Sequence, residues 1–132
     1  MKLLTKEICK RIPVLYGQEE IDDPVVHVKF FHPMSNWTWW ATEAAAEVLV
    51  GEDIINVPLC DVEPDGDWWK CEKGSVEDII FFGLVQGHEV ELGYFSLREM
   101  EEVRVSGLGI ERDLYWEPRA LSIVREEIGD GR

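Results

Sequence analysis

Five residues carry the spacing nearest to a chemical signature. Asp61, Glu63, Asp65, Gly66 and Glu72 stand at positions one, three, five, six and twelve of an EF-hand-like calcium loop. Such a loop works by wrapping side-chain and carbonyl oxygens around the ion. Here Glu63 is long for the third position, Pro64 stiffens the loop, and Pro58 and Gly74 fall where flanking helices belong. We therefore read the segment as a hairpin and expect no cofactor, with calcium at Asp61, Glu63, Asp65 and Glu72 as the alternative. His27, His32 and His88 with Cys60 and Cys71 offer nitrogen and sulfur donors, but no two have the close pair spacing of structural zinc sites. His88-Glu89 opens like a metalloprotease helix motif, and Leu92 then occupies the place of the second histidine. Ser96 and Cys9 lack a base partner in sequence, so no catalytic residue is assigned. A hydrolase whose site assembles only in three dimensions is the remaining enzyme reading, and a small-ligand site at His27, His88 and Glu89 beside Gly87 is another non-catalytic one.

The elements that must position these groups read as follows. Leu4, Ile8 and Ile12 at four-residue spacing make a short amphipathic helix capped by Thr5 and stopped by Pro13. Val25 to Phe31 alternates as a strand with Val26, Val28 and Phe30 on one face; a turn at His32 to Asn36 leads to a second strand, Trp37 to Glu43. In that strand alternation sends Trp40 to the face opposite Trp37 and Trp39. Ile79 to Gln86 and Glu89 to Phe95 flank Gly87-His88, a two-residue turn that would set Val85 against Val90 and Phe81 against Tyr94. Ser96 caps a helix running to about Val105, with Glu99 completing a capping box, and Pro118 starts a last helix. The fold class is α+β: an antiparallel sheet of hairpins with short helices packed on one face.

Between Glu43 and Asp78 there are eleven Asp and Glu against Lys70 and Lys73 alone, an excess of nine in a chain whose formal net charge is −14. We set off residues 44–78 as an acidic hairpin insert within a single domain, residues 1–132. If Asp65-Gly66 is its turn, Cys60 lies opposite Cys71, Val62 opposite Trp69 and Asp61 opposite Lys70, which points the acids outward. A Pro64-Asp65-Gly66 type I turn with a bulged glycine fits Pro64 better but scrambles the faces, so the register stays open. Such a field repels nucleic acid and anionic lipid and attracts basic partners. No direct nucleic-acid contact and no membrane association are expected; the longest apolar run is far short of the ~18 residues a membrane helix needs. The three cysteines, Cys9, Cys60 and Cys71, fit no disulfide framework, and the start leads into charged residues, so a reducing cytoplasmic location is expected. The partner-binding residues we assign are Asp61, Glu63, Asp65, Asp67, Trp68 and Glu72, an aromatic flanked by acids being a typical contact for a basic protein.

Several blocks carry a resemblance. Met1-Lys2-Leu3-Leu4-Thr5-Lys6-Glu7, Val26-His27-Val28-Lys29-Phe30-Phe31 before Asn36-Trp37-Thr38-Trp39, and Phe81-Phe82-Gly83-Leu84-Val85-Gln86-Gly87-His88-Glu89 running into Glu91 to Leu97 are three of them. With Ile110-Glu111-Arg112-Asp113-Leu114-Tyr115 and Pro118, they resemble the domain of unknown function 2958 family of small bacterial, plasmid and phage proteins. The resemblance brings no activity; the family's occurrence on mobile elements implies a role in element–host conflict or transfer. The combined expectation is a non-enzymatic acidic binding protein that blocks a nucleic-acid-binding host protein by mimicking nucleic-acid charge.

Overall fold

Thr5 opens the first helix as its sequence requires, its hydroxyl accepting the Ile8 backbone N–H at 3.2 Å, and α1 spans Lys6–Arg11. The structure is a computed structural model describing residues 2–130, so Met1, the first residue of the opening block, lies outside the described residues. Beyond α1 follow β1 (Val25–Val26), β2 (Val28–Phe31), β3 (Thr38–Val50), β4 (Asp53–Pro58), a 3-10 turn (Leu59–Asp61), β5 (Glu63–Asp65) and β6 (Trp68–Lys70). Then come β7 (Ser75–Gln86), β8 (Val90–Ser96), α2 (Leu97–Glu102), β9 (Glu111–Arg112), β10 (Arg119–Ala120) and α3 (Leu121–Glu127). The antiparallel main sheet is ordered β8-β7-β3-β2-β9, with β4 also paired to β3. Two small ribbons, β1–β10 and β5–β6, stand beside it.

β3 organises everything else. One edge pairs with β7 along nearly its whole length; the other is shared, β2 taking Thr38 to Ala41 and β4 taking Ala45 to Val50. The register with β7 shifts between Ala41 and Glu43, so Thr42 is the extra residue of a bulge. Opposite Ala41 the backbones approach so closely that a Cβ on Gly83 would lie 1.8 Å from the Trp40 carbonyl oxygen, which leaves only glycine there. The chain after α1 occupies the gap between β2 and β4, where the Ala44 N–H donates to the Pro13 carbonyl at 2.9 Å.

Alternation divides the core in two. Val28, Phe30, Ala44, Ala46, Val48, Ile79 and Phe81 lie in the larger cluster with Ile8 and Cys9 of α1 and Leu97 and Met100 of α2. Trp40 and Leu84, on the opposite face, pack with Leu121 and Val124 of α3. The α+β antiparallel architecture is as read from the sequence, but among the described residues the helices are split between the faces: α3 packs on the second, because Trp40 and Leu84 make that face apolar too. Phe81 is sandwiched at 5.4 Å between an edge-on Phe30 and a stacked Phe95, so Phe81→Ala would remove about 3–5 kcal/mol.

Other readings are corrected. The run from Val25 to Phe31 breaks at His27, which puts Val26 in the smaller cluster and Val28 and Phe30 in the larger. The segment 44–78 is no appended insert, for it supplies the second half of β3, all of β4 and the start of β7. The loop between β7 and β8 holds three residues, Gly87 to Glu89, so Val85 faces Glu91 and Phe81 faces Phe95. Ser96 does cap α2, accepting the Glu99 N–H at 3.1 Å, but α2 ends at Glu102. The last helix starts at Leu121, two residues of strand separating it from Pro118.

Candidate functional site

The acidic ribbon grows out of a firm root. Pro58 ends β4, Leu59 is fully buried in the 3-10 turn, and Val62 is buried one residue before β5. β5 and β6 then pair Glu63 with Lys70, Pro64 with Trp69 and Asp65 with Trp68, leaving Gly66-Asp67 as the turn. Gly66 sits at φ +58, in the first central position where a type II′ turn calls for glycine. The turn is thus one residue later than Asp65-Gly66, and the register moves by two. Because side chains alternate with period two, the faces survive: Val62, Pro64, Trp69 and Cys71 share one, and Glu63, Asp65, Trp68 and Lys70 share the other.

Trp68 fixes the ribbon to the body. Its indole N–H donates to the Val76 carbonyl at 2.7 Å, and the Arg98 guanidinium lies 3.9 Å over its ring. Arg98 is held in turn: its Nε donates to the Glu77 carbonyl and its backbone N–H donates to Asp78. One ring face and the N–H of Trp68 are therefore occupied, which makes this tryptophan an anchor more than a presented contact, contrary to the role assigned from sequence.

The assigned acids fare differently. Asp61, Glu63, Asp65, Asp67 and Glu72 are all exposed. Among the described residues, the ion pairs are Lys29–Asp113, Arg119–Glu127 and Arg125–Asp130, none of them on the ribbon. A concavity of about 610 Å³ is lined by Asp61, Glu63 and Glu72, by Lys70 and Lys73, and by Cys60 and Cys71. Beyond it, Asp65 ends β5 and Asp67 is in the turn. The calcium-like spacing is drawn out along a 3-10 turn, a strand and the turn after β6, and among the described residues no three His, Cys, Asp or Glu are gathered as a metal site.

His27 and His88 are not brought together. The His27 N–H donates to Ala41, whereas the His88 ring meets the edge of Trp37 at 5.9 Å, and these two β3-side positions are four residues, ~13 Å, apart. His27 Nδ1 is buried without a partner, and burial, with a smaller contribution from Arg11, holds its pKa below the ordinary histidine range. Cys9 is pushed up to about 12 by burial and, secondarily, by Cys60, which makes it a core thiol and not a nucleophile.

The sequence reading missed a second constellation at the β3 bulge. Glu43, 5% exposed, accepts the Tyr16 backbone N–H at 2.9 Å on one carboxylate oxygen and the Gln18 N–H at 3.1 Å on the other. Gln18 returns the contact, its Nε2 donating to the Thr42 carbonyl at 2.7 Å. The grip holds Tyr16 at φ +71, a left-handed conformation that a tyrosine rarely adopts. Beside this loop a hollow of about 410 Å³ opens on the α3 face, with Phe82, Leu92, Tyr94 and Leu121 among its walls. The signal available in the sequence was Glu43 itself, one carboxylate between Trp39-Trp40-Ala41-Thr42 and Ala44-Ala45-Ala46. His32 was also passed over: it is 2% exposed, accepts the Met34 N–H on Nδ1 and so donates from Nε2 to the Leu108 carbonyl at 2.9 Å.

The model of a family described as a protein of unknown function (DUF2958) matches residues 57–126. That stretch runs from the end of β4 through the ribbon, β7, β8, α2, β9 and β10 to all but the last residue of α3, more than half of the chain, and the chain belongs to this family. No curated protein and no solved structure matches it. Among the described residues no helix is long and apolar enough to cross a membrane.

Proposed function

We propose that this member of the DUF2958 family is a non-enzymatic binding protein whose acidic ribbon docks on a basic protein, in a groove that otherwise holds nucleic-acid phosphates. The observation that carries the reading is the idleness of the ribbon's carboxylates within the fold. Elsewhere Glu43, Asp78, Asp23 and Asp113 each accept backbone N–H groups or hydroxyls, so their charges are built into loops and caps. Asp61, Glu63, Asp65, Asp67 and Glu72 cap no backbone N–H and pair with no cation among the described residues; Asp61 receives only a long contact of 3.9 Å from the Cys60 thiol. Like charges gathered on a short ribbon repel one another, and a cationic partner relieves that repulsion. The rigid root at Leu59, Val62 and Trp68 presents them without a large ordering cost. The resemblance to proteins of mobile elements is consistent with a host nuclease as the partner and with an anti-defence role in the cytoplasm.

The test is capture of host proteins by tagged protein at low and moderate salt, beside a variant carrying Asp61→Asn, Glu63→Gln, Asp65→Asn and Asp67→Asn. The reading expects a nucleic-acid-binding protein that is released by salt, by excess duplex DNA and by the four substitutions. Capture indifferent to the four substitutions contradicts it.

A further inference from the structure

We propose that the hollow beside Glu43 binds a small organic cation with an apolar body, its charge toward Glu19, Asp22 and Glu43 and its body against Tyr16, Phe82 and Tyr94. The hollow lies on the α3 face of the sheet, whereas the ribbon is rooted in the cluster of the opposite face, so the two sites are independent.

Three observations converge there. First, Tyr16 (52% exposed), Ile21 (50%), Leu92 (48%) and Tyr94 (57%) are large apolar or aromatic side chains left in water, and all four line this one hollow. Gathered exposed apolar surface of this kind marks interaction sites more often than it decorates a monomer. Its volume of about 410 Å³ falls in the range of small-molecule sites, roughly 300–1,000 Å³.

Second, the wall is constructed. Glu43 and the Thr42 bulge hold Tyr16 in its left-handed conformation, and Tyr16 and Tyr94 line the hollow together. Tyr94 also lies against Phe82, ring centroids 4.9 Å apart at 60°. Strained backbone and bulges persist where surrounding contacts enforce them, and they cluster at binding sites.

Third, the charge is one-sided. Glu19, Asp22 and Glu43 line the hollow against Arg125, whose guanidinium is already bonded to the Asp130 carboxylate. The neighbouring Tyr16 hydroxyl, then loss of hydration and the charges of Tyr16, Glu43 and Glu19, push the Tyr94 phenol above its ordinary range. An anion would meet these carboxylates unfavourably, and a neutral ligand would leave Glu19 and Asp22, the two not taken up by backbone N–H groups, without a counter-charge. A cation satisfies them and gains the faces of the aromatic rings.

Three probes share one phenylalkyl body and differ in charge: 2-phenylethylammonium, 2-phenylethanol and 3-phenylpropionate. Each is titrated at neutral pH while the ring resonances of Tyr16 and Tyr94 are followed by NMR. The amine is expected to give saturable shifts with a Kd of about 1 mM, the alcohol about tenfold weaker binding and the acid none. The exposed pair Glu19→Gln and Asp22→Asn should weaken the amine about tenfold, and Tyr94→Leu, which keeps an apolar wall without the phenol, should do likewise. The four-amide ribbon variant should bind as the native chain does, which excludes a diffuse attraction to the negative protein. Shifts absent at about 20 mM amine, or equal binding of amine and alcohol, would overturn the assignment, as would an unaffected Tyr94→Leu.

Discussion

Glu43 and the ribbon acids place the same functional group in opposite circumstances. Glu43 is buried at the bulge of the central strand, and both of its oxygens accept backbone N–H groups from the loop that fills the gap between β2 and β4. Asp61, Glu63, Asp65, Asp67 and Glu72 stand in water on a two-stranded ribbon and hold nothing together. The difference shows that negative charge in this chain has two sources of value. Removing a carboxylate of the first kind damages the fold; removing one of the second kind relieves repulsion and, on the proposed function, takes away what a partner would read.

The two largest expected effects, of similar size, break the comparison from the structural side. Glu43→Ala orphans two backbone N–H groups and frees a loop held at positive φ, and should lower unfolding free energy by about 3 kcal/mol in a urea titration. Glu43→Gln keeps the shape but turns an NH2 toward one donor, and should recover only part of the loss. Next comes the root of the ribbon: Leu59→Ala empties a fully buried site and should cost about 2–4 kcal/mol while leaving every ribbon charge in place. That variant separates anchoring from charge. The four ribbon amides should then change stability by no more than about 0.5 kcal/mol, with a gain as the expected sign.

The smallest effect concerns pH. His27 is held below its ordinary pKa by burial, so the folded state binds its proton less readily than the unfolded chain does. Its contribution is present above the unfolded value near 6.5 and is lost as pH falls through the lower folded value. Melting temperatures measured from pH 7.5 to 5 should therefore fall more steeply for the native chain than for His27→Phe.

Two hairpins show how much of this was legible. In the ribbon neither open reading has the turn: an Asp65-Gly66 turn lies one residue early and shifts the register by two, which keeps the acids and Val62 and Trp69 on the faces it implies, and the bulged Pro64-Asp65-Gly66 turn is absent. At β7–β8 the loop has three residues where two were expected, the slip is one, and every pairing changes face: Leu92 and Tyr94 go to the α3 side and Phe95 to the core. Local turn chemistry did not settle either register, because Pro64 and the packing of Trp37 against Gly87 act from outside the turn residues. The Thr5 and Ser96 caps were legible since each depends on four consecutive residues. The Glu43 constellation was not. It joins positions 16, 18 and 43 across a gap in a sheet edge, and nothing in the periodicity of β3 announces that its neighbours β2 and β4 leave that gap.

The central claim is that the ribbon's charge is functional and not architectural, and unfolding of the four-amide variant beside Glu43→Gln tests it most directly. The account predicts a four-amide midpoint equal to or above that of the native chain, with Glu43→Gln well below it. A four-amide variant that loses as much stability as Glu43→Gln would mean that the ribbon carboxylates hold the fold, and the contrast drawn between the two sets of acids would be wrong.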